Sequence, residues 1–200
     1  AAVNAAGANI TLVDATGIDL GTVTASGILS VTAGGAVTDS GTLTVTGVTT
    51  IAAAGFDVTL DSAANNFSTA NATGANLTLV DANSIDLGTV TATAALAVTA
   101  NGAGEITDSG TLTITGAATF TATGDNITLN SAANDFAAAV SATGKDIVLV
   151  DATALDLGAV TASGTLNVTA GGAVTDSGTV VVAGTATFTA PGFDITLNSA

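Results

Sequence analysis

Two hundred residues with 48% hydrophobic content can bury a sizeable core, yet aromatic residues are only 3% of the chain and charged residues 8%. Sixteen acidic residues stand against one lysine, a net charge of −15, which excludes nucleic acid and anionic membrane surfaces as direct partners because both are held through basic patches. The absence of cysteine excludes a disulfide framework. No apolar run reaches the roughly 18–20 residues of a spanning helix, so membrane insertion is not expected, and the opening AAVNAAGANI lacks the basic segment of a secretory leader.

Taken in chain order, the sequence reads as short runs of alternating Thr and Val, Ile or Leu, the pattern of half-buried strands. The runs are ITLV (10–13), IDL (18–20), TVTA (22–25), LSVTA (29–33), AVTD (36–39), LTVT (43–46), TIAA (50–53), DVTL (57–60) and FSTA (67–70). Corners rich in Gly, Asn, Ser and Asp separate them, as turn chemistry requires. After FSTA the series starts again. LVDA begins at Leu12, Leu79 and Leu149, DLG at Asp19, Asp86 and Asp156, and TDSG at Thr38, Thr107 and Thr175. SAANNF (62–67) returns as SAANDF (131–136), and FDVTL (56–60) as DNITL (125–129) and FDITL (193–197). The superrepeat is 67–70 residues, with units of approximately 8–74, 75–144 and 145–200, the last incomplete.

Nine short strands in each superrepeat predict three coils of three strands, with divisions at Gly27 and Gly47. A propeller blade would be larger and carry aromatic signatures, and a helical repeat would need a 3.6-residue period. The expected fold is therefore all-β: a three-sided parallel β-solenoid of about nine coils, one segment spanning 1–200. Alternation places Leu43 and Val45 inside with Thr42, Thr44 and Thr46 outside. It also places Phe56, Val58 and Leu60 inside with Asp57 and Thr59 outside, the phenylalanines filling a wider layer of the core.

The recurring texture G..NITL.DA..IDLGTVTASG.L.VTAGGAVTDSGTLTVTG, with the corner Asn134-Asp135-Phe136, resembles the large repetitive exoproteins of the filamentous-haemagglutinin-like adhesin type. The resemblance covers the whole chain. It implies a long extracellular or cell-surface shaft, an adhesin stalk of bacterial origin. A secretion-partner recognition domain, a globular head and an Arg-Gly-Asp tripeptide are not in the sequence.

Chemistry-bearing residues are few. Asp14, Asp19 and Asp39 recur at the same phase as Asp81, Asp86 and Asp108 and as Asp151, Asp156 and Asp176. Paired carboxylates are the minimum for glycoside hydrolysis, but an enzyme gathers its site in one cleft with cations to stabilise developing charge, and Lys145 is the only cation here. No enzymatic activity and no cofactor is expected. The nine aspartates are weak calcium candidates, because neither VDATGID nor TDSG matches a calcium loop. The alternative is that they form turns and confer solubility, with Asp39 and Ser40 bonding their own corner and Gly41 permitting its bend. Outward pairs Thr22/Thr24, Thr42/Thr44, Thr89/Thr91, Thr111/Thr113 and Thr187/Thr189 raise an ice-ordering face as a further reading. Six N-x-S/T sequons begin at Asn9, Asn66, Asn71, Asn76, Asn126 and Asn167, a number that chance explains in so threonine-rich a chain.

The ends are in phase with the interior: AAVNAAGANI aligns with AAVSATGKDI (138–147), and NSA (198–200) with Asn130, Ser131 and Ala132. Neither reads as a cap. The expected partners are adjoining repeats or copies of the chain stacked end to end, since an open coil leaves a strand edge unpaired.

Overall fold

The computed structural model describes residues 1–198, and among them the chain forms 24 strands and no helix. The strands pair in parallel, each with the next turn of the chain, at separations from 17 residues (Val3↔Leu20) to 22 (Leu96↔Ala118). The molecule is a parallel β-solenoid. One continuous column of pairings shows the winding: Ile18, Val37, Val58, Leu77, Leu96, Ala118, Val140, Leu157 and Asp176 stack one above another. The described chain winds about ten coils, one more than the expected nine, for a length of roughly 50 Å at the usual strand spacing.

The same column fixes how coils relate to repeats. Seven pairings lead from Ile18 to Leu157, and Leu155, on that same strand, is the equivalent of Ile18 two superrepeats later. A superrepeat thus winds three coils and continues about halfway round a fourth. Its middle copy lies on another column, which runs from Ile10 through Leu29, Thr49 and Ala70 to Leu87. Equivalent residues therefore alternate between two sides of the shaft.

The core is one unbroken cluster from Ile10 to Ala190. Burying each Leu, Ile or Val of a layer contributes on the order of 2 kcal/mol, and the layers repeat along the stack. Leu43, Val45, Val58 and Leu60 are buried, and Thr44 and Thr46 are exposed, as alternation requires. Phe56 is not inside: it is 45% exposed. Gly55 has φ +82°, and the Phe56 amide donates to the Ala53 carbonyl at 2.9 Å, so a tight turn throws Phe56 outward before the strand Val58–Leu60 begins. Phe193, at the same phase, is exposed too. Phe67, Phe120 and Phe136 do fill the core, the last two edge to face at 6.1 Å.

Candidate functional site

The aspartates of TDSG sit at the ends of the strands Val37–Asp39, Ile106–Asp108 and Val174–Asp176, each directly above the leucine of a DLG (Leu20, Leu87 and Leu157). That register gives them the inward phase. They do not bond their own corner; they reach up to the next coil. Asp39 accepts the amides of Asp61 (2.9 Å) and Ser62 (3.3 Å) and the Asn65 side-chain Nδ2 (2.6 Å). Asp108 repeats the arrangement with Asn130 (2.7 Å), Ser131 (3.3 Å) and Asn134 Nδ2 (2.6 Å). Asp176 accepts the Asn198 amide at 2.8 Å. Asn65 and Asn134 are wholly buried, and their Oδ1 atoms accept the amides of Leu43 (2.8 Å) and Leu112 (2.9 Å). Each asparagine thus ties a TDSG carboxylate to the first core residue of the following strand.

Ser40 likewise serves a neighbouring coil: its hydroxyl donates to Asp19 Oδ2 at 3.0 Å. Ser109 and Ser177 do the same to Asp86 (2.6 Å) and Asp156 (2.7 Å). The reason for Gly41 also differs from the expected one. Its φ is not positive; instead, a Cβ there would lie 2.4 Å from the Gly21 carbonyl carbon of the coil below. The corner needs glycine for close stacking.

The aspartates of LVDA form the second recurrent clasp. Asp81 and Asp151 are buried, and each holds two segments together. Asp81 accepts the amides of Phe67 (2.6 Å) and Asn83 (2.8 Å); Asp151 accepts those of Phe136 (2.9 Å) and Thr153 (2.6 Å) and the Thr153 hydroxyl (3.0 Å). Burial pushes both carboxyls above the usual range against the pull of these amides, and the neighbouring Asp135 carboxylate raises Asp151 further. Asp14, the first copy, is only half-buried and bonds only within its own turn, to the hydroxyl and amide of Thr16, both at 2.7 Å. Those two bonds hold its carboxyl below the usual range. The turn-forming reading therefore describes Asp14 fully and Asp81 and Asp151 in part.

As a metal site the nine aspartates are poorly arranged. Among the described residues no three acidic side chains come together. Asp19 Oδ1 is buried and unbonded, but its equivalents accept long bonds from Thr107 and Thr175, both at 3.4 Å, so it marks a slightly wider version of one contact. The threonine pairs stack only briefly: Thr24 lies under Thr44, and Thr73 and then Thr91 lie under Thr113, with Asn66 and Asp135 next above. A longer rank, Thr99–Thr121–Thr143–Thr161, joins different threonines. Lys145 is exposed, and its charge helps lower Asp146, although the amide and hydroxyl of Thr165 do more.

Asn65 and Asn134 are the residues that sequence reasoning passed over as members of a corner. Their recurrence in SAANNF and SAANDF was the available signal. A family model described as repeats of unknown function (DUF5649) matches residues 7–73, 74–143 and 144–200. No curated protein and no solved structure matches the chain.

Proposed function

The chain belongs to this family of repeats of unknown function, and from that premise we propose that it is a passive structural segment, the shaft of an extracellular or cell-surface fibre such as an adhesin stalk. One observation carries the reading: the acidic and amide side chains that recur in the superrepeats are occupied in holding coil to coil, as in Asp39–Asn65–Leu43 and Asp108–Asn134–Leu112. Carboxylates engaged in this way are not offered to a substrate. The outward residues are mostly Thr, Ser and Ala, and the net charge of −15 keeps neighbouring shafts apart.

The partner is a further run of the same coils, stacked end to end. Electron microscopy should show straight rods that lengthen by association, with melting unchanged by chelator. Compact single particles, or a melting temperature that falls on chelation, would contradict the shaft. The rank Thr99–Thr161 favours one other reading, a water-ordering face, which thermal hysteresis in a freezing assay would reveal.

A further inference from the structure

The second superrepeat departs from the others at one corner, where TAGGA (32–36 and 169–173) becomes TANGAGE (99–105). Hydrogen bonding aligns the two versions. The amides of Gly34, Asn101 and Gly171 donate to the carbonyls of Asp14, Asp81 and Asp151 at 2.9, 2.8 and 2.9 Å. The next close-packed residue is Gly35 in the first repeat, Gly104 in the second and Gly172 in the third, all buried against the coil below. The two additional residues are therefore Gly102 and Ala103. Both are exposed, and the chain loops outward there without disturbing the stack.

This insertion creates the one Asn-Gly dipeptide of the sequence. The Asn101 side chain has no hydrogen-bond partner among the described residues, nor does the Gly102 amide, which lies at φ +65°. Elsewhere the same pair of groups is tied down. Asn65 and Asn134 are locked in the core, Asn71 and Asn76 accept the amides of Thr89 and Ala95, and the amide after Asn130, that of Ser131, donates to Asp108. Asn83 is exposed, but its following residue is Ser84, whose side chain crowds the attack that glycine leaves open.

We propose that Asn101–Gly102 is a site of spontaneous covalent modification, at which the backbone itself is the nucleophile. The Gly102 nitrogen, losing its proton to solvent base, attacks Asn101 Cγ and forms a new C–N bond. The Cγ–Nδ2 bond breaks, and Nδ2 departs as ammonia, leaving a five-membered succinimide. Water then opens the ring. Cleavage between the nitrogen and Cγ leaves aspartate; cleavage between the nitrogen and the backbone carbonyl leaves isoaspartate, with the chain routed through the former side chain. No oxidant, metal or enzyme is needed. Because the loop stands outside the ladder, the stack accommodates both products and the shaft gains one negative charge per event.

Ageing the whole chain at mildly alkaline pH and mapping its peptides by mass spectrometry tests this. The peptide containing Asn101 should gain about 1 Da, resolving into aspartyl and isoaspartyl forms, at a rate roughly tenfold above that of any other asparagine. Asn101→Gln should abolish the gain with the melting temperature within a degree or so of the native chain. Gly102→Ala should slow it and, because Gly102 lies at φ +65°, should also melt about 2–4 °C lower. Modification spread evenly over the asparagines, or fastest at Asn83, would overturn the proposal, as would an unchanged rate in Gly102→Ala with the fold intact.

Discussion

Asp14 and Asp151 are the same residue of the same repeat, two superrepeats apart, yet they have opposite chemistry. Asp14 is only half-buried, serves one turn, and has its carboxyl held below the usual range. Asp151 is buried, joins the Phe136 strand to the Thr153 corner, and has its carboxyl raised by that burial. The difference lies in what stands beneath: Asp151 has the Asp135–Phe136 strand of the preceding superrepeat for a neighbour, and Asp14 has no such strand among the described residues. A repeated motif in a solenoid thus acquires its role from the adjoining copy. The aspartate of LVDA is a joint between superrepeats.

The largest break in that comparison comes from removing the carboxylate. Asp151→Ala or Asp81→Ala leaves one buried and one part-buried amide unbonded and should cost about 3 kcal/mol in urea denaturation, whereas Asp14→Ala should leave the midpoint nearly unchanged. Asn134→Ala removes the tie between Asp108 and the Leu112 amide and should cost about 2 kcal/mol, with Asn65→Ala matching it one superrepeat earlier.

A finer effect separates the two interior joints. Asp135 stands beside Asp151, where the earlier joint has Asn66 beside Asp81. Asp135→Asn should therefore stabilise the chain at neutral pH by under about 1 kcal/mol, and Asn66→Asp should destabilise it by a similar amount. Smallest of all is the pH dependence of the whole chain. Because Asp81 and Asp151 are raised in the folded state, that state holds their protons more readily than the unfolded one does. Their contribution is complete below the ordinary carboxylate value and is lost as pH rises through the raised values. The lowered groups, Asp14, Asp57 and Asp146, act in the opposite sense, losing their contribution as pH falls below the ordinary value. Melting should accordingly be a few degrees higher at about pH 5 than at pH 8, and flatter in Asp135→Asn.

The solenoid was legible in the sequence because its period and its alternation are both local. Leu43, Val45, Val58 and Leu60 face inward for the reason that alternation gives. Phe56 departs because alternation does not extend back from Val58 into the turn that follows the left-handed Gly55; Asp125 at the same phase of the next repeat is a visible sign that the position faces water. The partners of TDSG were not legible. Asp39 bonds residues 22 to 26 positions ahead, and which residues those are depends on the coil length, which a superrepeat of about three and a half coils conceals. The burial of Asn65 and Asn134 was hidden for the same reason: a polar residue in a Ser/Ala/Asn corner reads as solvent-facing until the strand below it is placed.

Amide hydrogen exchange at Phe136 and Phe67 tests the central claim most directly. In the native chain both amides, held by Asp151 and Asp81, should exchange slowly. In Asp151→Ala the Phe136 amide should lose its protection while that of Phe67 keeps it. Equal exchange at Phe136 in the native chain and the variant would contradict the account, because the recurrent aspartate would then not be what joins one superrepeat to the next.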